Sequence, residues 1–163
     1  MHVLLRDLNR LRRTIGLRRP RAGSLALRHV DAGSCNGCEH ELNAAGGPHY
    51  DMQRFGLNVV ASPRHADALV VTGPVTTRML GPLRTAFEAM PEPRLVVACG
   101  DCAIRGGGDL CSPGELAGDA AGAVEGVLPV AVRIAGCPPT PEQITAGLLE
   151  AQAAARALRR TRR

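Results

Sequence analysis

The chain has 163 residues, 45% of them hydrophobic, so it can bury one core and is too short for two comfortable domains. All 20 basic residues are arginine; without lysine there is no P-loop, a motif that needs one to reach phosphate. Eight arginines fall in residues 1–28 and five in 156–163, which leaves seven Arg against fourteen Asp and Glu in 29–155; that acidic body, with Tyr50, Phe55 and Phe87 as its only aromatics, lacks the basic stacking surface of a nucleic-acid binder.

Val3 to Ile15 reads as an amphipathic helix, with Leu4, Leu8, Leu11 and Ile15 on one face. It is either a solvated extension or a foot for an anionic membrane surface or an acidic partner. A mitochondrial presequence has similar chemistry. No continuous apolar segment follows the basic residues, so this is a poor secretory signal, and no apolar run approaches the ~18 residues of a membrane span. The expectation is a cytoplasmic chain, peripheral on the cytoplasmic face of the cell membrane. In that compartment six cysteines read as ligands or buried thiols, not as three disulfides.

From residue 24 short apolar runs alternate with helical patterns. Strands are expected at Leu25–Val30, Leu57–Ala61, Ala68–Thr72, Leu95–Cys99 and Val130–Ala135. A short helix follows Cys38 up to Gly46, and another runs from Arg78 to Met90 on the spacing of Met79, Leu80, Leu83, Phe87 and Met90. Ser112-Pro113-Gly114-Glu115 and Thr140-Pro141-Glu142-Gln143 are capping boxes; the second opens a helix reaching about Leu158. Continuous apolar strands alternating with helices predict an α/β fold: a flavodoxin-like, doubly wound, mainly parallel sheet covered on both faces. The expected organisation is a basic extension over 1–23, one domain over 24–158 and a basic tail over 159–163.

The cysteines are Cys35, Cys38, Cys99, Cys102, Cys111 and Cys137. Cys35 and Cys38 follow the first strand, Cys102 follows the Leu95–Cys99 strand, and Cys137 follows the last. Open parallel sheets bind ligands beyond the carboxyl ends of their strands. Four thiols from three strand ends on one edge therefore predict a metal site, and four thiolates suit either zinc or an iron–sulfur cluster. Glycine beside each cysteine lets backbone approach closely. Cys99 ends an apolar strand and reads as a small core residue. Cys111 reads as a free or packed thiol. Pairing Cys99–Cys102 with Cys35–Cys38 as a zinc ribbon fails on the 60-residue gap between the pairs.

Five motifs in order carry a resemblance over roughly residues 25–150. They are Gly33-Ser34-Cys35-Asn36-Gly37-Cys38, Pro63-Arg64-His65-Ala66-Asp67, Val71-Thr72-Gly73-Pro74-Val75-Thr76, Gly100-Asp101-Cys102-Ala103 and Gly136-Cys137-Pro138-Pro139 with Pro141-Glu142. Together they resemble the small subunits of membrane-bound, formate-hydrogenlyase-type nickel–iron hydrogenases (group 4), a group similar to the 20 kDa subunit of complex I, the NADH-quinone oxidoreductase. The resemblance implies one 4Fe–4S cluster rather than zinc, with Cys35, Cys38, Cys102 and Cys137 as ligands. It implies an electron-transfer role next to a large catalytic subunit, with ferredoxin-like and membrane subunits in the same complex. Complex I members usually have adjacent cysteines at the first motif; the separation of Cys35 and Cys38 is that of hydrogenases. In the complex I branch a quinone site lies at the shared interface. Glu39, His40 and Glu41 either face a partner, relay protons, or are solvated helix-start residues. Asp101 either tunes the cluster or caps a turn. Arg64 and His65 match the second motif, which suggests an interface.

Overall fold

The computed structural model describes residues 23–107 and 120–161. The helix expected over Val3–Ile15, the one expected at Ser112, and Cys111 lie outside the described residues.

Five strands form one parallel sheet: β1 Leu25–Asp31, β2 Leu57–Val59, β3 Ala68–Thr72, β5 Leu95–Cys99 and β7 Val132–Ile134, in the order β2-β1-β3-β5-β7. Counting only these five, the order is that of flavodoxin, so the α/β, doubly wound expectation holds. β3 and β5 are buried along their whole length, which is why they read as unbroken apolar runs. Two further segments, β4 Val75–Thr76 and β6 Ala120–Gly122, pair antiparallel beside the main sheet. Neither was expected, because two or three residues carry no period.

Among the described residues, four helices flank the sheet: α1 Gly37–Gly46, α2 Thr77–Glu88, α3 Asp101–Arg105 and α4 Pro141–Thr161. Alternate residues of β3 and β5 point to opposite faces. Val70 and Val97 pack with α1 and α4 through Leu42, Ile144 and Leu148, whereas Leu69 and Val96 pack with α2 through Leu83. The capping box at α4 forms as expected: Thr140 N–H donates to Gln143 Oε1 (2.8 Å) and Gln143 N–H to Thr140 Oγ1 (3.4 Å). That helix continues past Leu158 to Thr161, where Arg159 pairs with Asp67. α2 is capped by the Thr76 hydroxyl, which accepts from Met79 N–H at 3.3 Å.

α4 lies close enough to β7 to leave no room at Gly147: a Cβ there would stand 2.5 Å from Ile134 Cγ1. Gly147→Ala should therefore destabilise the fold by about 1–3 kcal/mol, the usual cost of overpacking. Adding Ile134→Val should recover part of it. Thermal or denaturant melts of the single and double variants check this, and additive losses would show that the two sites do not touch.

Candidate metal centre

Each strand that feeds the site ends in a turn of special geometry. After β1, Asp31 Oδ1 accepts from Gly33 N–H (2.8 Å) and Ser34 N–H (2.7 Å), folding the loop back before Cys35. Asn36 then takes a left-handed conformation (φ 68) and starts α1, with Cys38 in the first turn. After β3, Gly73 (φ +72) presses against this loop, and a Cβ there would lie 2.6 Å from Ser34 Cα. After β5, Gly100 (φ 93) turns the chain into α3, which begins at Asp101 and carries Cys102. After β7, Gly136 (φ +140) precedes Cys137, whose peptide bond to Pro138 is cis.

These turns open on one cavity of about 140 Å³, lined by Cys35, Cys38, Cys102 and Cys137 together with Gly37, Gly73 and Gly136. The structure thus brings together the four cysteines singled out in the sequence, at the carboxyl edge of the sheet. Cys35 and Cys137 are exposed, Cys38 is half-buried and Cys102 is buried. Cys99 is fully buried in the α1–α4 core and does not line the cavity.

The chemistry of this donor set fits a thiolate-held metal centre, zinc or an iron–sulfur cluster. Cys35, Cys38, Cys102 and Cys137 rim one space and would hold the group. Burial pushes the Cys38 thiol up to about 12, reinforced by the negative charges of Glu39, Cys35, Cys137 and Asp101. Metal binding at such a thiol would displace its proton. Cys99 is also pushed up to about 12, chiefly by burial and then by Cys38 and Glu39.

Glu39 is not simply solvated. It accepts from the Thr72 hydroxyl, and its Oε1 lies 3.5 Å from His29 Nε2, which is itself 2.9 Å from Thr72 Oγ1. Burial lowers the His29 pKa, against the opposing pull of Glu39 and Asp31. This network ties α1, and with it Cys38, to the ends of β1 and β3. The sequence assigned no role to His29, and Thr72 figured only as a strand end and within the third motif. The available signal was parity: each continues the inward-facing positions of its strand, after Leu27 and Val70. His40 is exposed and Glu41 half-buried.

Asp67, which closes the second motif, works at the opposite edge of the sheet. Its Oδ2 accepts from Ala26 N–H at 2.9 Å, near the start of β1. Arg64 and His65 lie beside it, are exposed and do not line the cavity.

The chain belongs to the family described as NADH ubiquinone oxidoreductase, 20 Kd subunit, which matches residues 35–151. It is 45% identical over 121 residues to a probable membrane-bound hydrogenase subunit, mbhJ, of Pyrococcus furiosus, covering 74% of this chain and 70% of that one. It is 44% identical over 118 residues to an NADH-quinone oxidoreductase subunit of Geobacter metallireducens, covering 71% of this chain and 64% of that one. Among solved structures it resembles a chain of the membrane-bound sulfane sulfur reductase, an archaeal respiratory membrane complex. That match has TM-score 0.67 and 32% identity, over 83% of this chain and 72% of that one. These relatives are subunits of oxidoreductase complexes. No described helix of this chain is long and apolar enough to cross a membrane.

Proposed function

We propose that this chain is the electron-transfer small subunit of a membrane-bound, hydrogenase-type complex and holds one 4Fe–4S cluster on Cys35, Cys38, Cys102 and Cys137. The observation that carries the reading is the cavity rimmed by these four thiols from three strand ends. When bound, the cluster supplies one-electron transfer; the chain itself places the cluster and sets its surroundings. The exposed Cys35 and Cys137 mark the open side of the cavity. A large catalytic subunit covers that side, and the chain is held peripherally at the cytoplasmic face through its ferredoxin-like and membrane partners.

Identity does not separate the branches, because 45% to a hydrogenase subunit and 44% to a quinone-reductase subunit are equivalent. The hydrogenase reading rests on the two residues between Cys35 and Cys38 together with the Gly100-Asp101-Cys102-Ala103 motif. Adjacent cysteines and a CxxC pair aim their thiolates differently, so the cluster and the facing partner surface must be built differently.

The full chain purified without oxygen should be brown, with broad absorption near ~400 nm and about four irons per chain, as iron–thiolate ligation requires. Colourless protein carrying zinc would make the chain a zinc-stabilised interaction subunit instead. Isolation with its natural partners should bring nickel near one per complex, with hydrogen uptake or evolution on an artificial dye. A nickel-free large partner in a quinone-reducing complex would place the chain in the complex I branch and leave the four ligands standing.

A further inference from the structure

We propose that Asp101 is a positioning residue: its carboxylate, acting as a hydrogen-bond acceptor and not as a charge, fixes the Cys137 loop against the helix that carries Cys102. The inference rests on the cluster reading above and assigns the device that sets the spacing of two of its ligands.

β5 and β7 stay in register through the pair Cys99 and Ile134. One step further, Gly100 N–H donates to Ile134 O at 2.8 Å. There the two chains diverge, one into α3 and the other into the Cys137 loop. A reciprocal pair of bonds joins them across the gap. Asp101 N–H donates to Gly136 O (2.8 Å), and Gly136 N–H donates to Asp101 Oδ1 (3.0 Å). The side chain thus adds a second bond beside the last backbone one. Asp101 immediately precedes Cys102, and Gly136 immediately precedes Cys137. The clasp therefore joins two loops one residue before a cavity thiol on each side.

The rest of the Cys137 turn is already committed. Gly136 has φ +140, and a Cβ there would stand 2.5 Å from Pro139 Cα. The turn is compact, and its backbone at Gly136 meets α3 at Asp101. Asp31 makes a contrasting use of a carboxylate: its two bonds stay within its own loop. Asp101 spans two.

Acceptor and charge are separable, because asparagine keeps an Oδ1 in the same place and loses the charge. The experiment uses the full chain, purified anaerobically, as wild type, D101N, D101A and C102S, with iron per chain, absorption near ~400 nm and far-UV circular dichroism as readouts. D101N should hold iron within about twofold of wild type. D101A should lose on the order of tenfold, the low end of what removal of an outer-shell partner costs a metal site, and should approach C102S while keeping the wild-type dichroism spectrum. Full iron in D101A would overturn the proposal. So would an equal loss in D101N and D101A, which would put the charge in the role. Loss of the dichroism spectrum in D101A would make Asp101 a folding residue and overturn it too. An iron-free wild type would instead sink the cluster reading, and this inference with it.

Discussion

Serine in place of Cys102 should empty the site, while serine in place of Cys99, three residues earlier, should leave it full. The two thiols are both buried, so burial does not separate them. What separates them is where they stand: Cys102 lines the cavity, and Cys99 sits in the core with Thr72 as its register partner on β3. A serine oxygen is a poor substitute for a soft thiolate on iron. Serine at Cys35, Cys38, Cys102 or Cys137 should each reduce bound iron by at least ~10-fold, since even outer-shell changes at metal sites cost that much. Cys99→Ser should cost about 1–3 kcal/mol of stability, because it buries a hydroxyl in an apolar setting, with iron unchanged. Iron analysis and melting curves on the five variants give a crossed pattern. An empty site in Cys99→Ser with a full one in Cys102→Ser would overturn the ligand set.

The ends of the strands were legible because the sheet is parallel. Unbroken apolar runs such as Leu95–Cys99 mark central strands, and their carboxyl ends mark where the glycine-flanked cysteines must meet. The Thr140 capping box was legible because it is a local pattern of two residue types three apart. Less was visible where the cause is tertiary. The network of Glu39, Thr72 and His29 joins residues from two strands and a helix, and no window of sequence contains it. The edge strands are shorter than expected: β2 ends at Val59, and the Ala61 carbonyl accepts from Arg28 Nη1 at 2.9 Å. Glycines beside cysteines suggested close approach in general. Which atom each glycine makes room for is a property of the folded chain alone.

Gly100→Ala isolates one such approach, and its effect should fall on iron more than on the fold. Gly100 has φ +93, and a Cβ built on it would stand 2.5 Å from Cys38 Sγ. Two costs follow. The first is conformational: an L side chain at this φ costs on the order of 1–3 kcal/mol. It falls at the carboxyl end of β5, where the chain is leaving the sheet. The second is steric and lands on one atom. In the cluster-free chain the half-buried Cys38 thiol can rotate away, so the overlap need not disturb the sheet. With iron bound, its sulfur must point into the cavity, and the added methyl occupies the flank it would use. The alanine variant should therefore stay folded with a modestly lower melting temperature and lose most of its iron. Gly147→Ala is the natural counterpart, because the overlap there is with Ile134 in the core, so stability should fall and iron should not. Measuring both quantities on both variants separates a glycine that makes room for a ligand from one that makes room for a helix. Wild-type iron in Gly100→Ala would mean that Cys38 can ligate from a retracted rotamer, and that Gly100 is required for its backbone angle and not for the space it leaves.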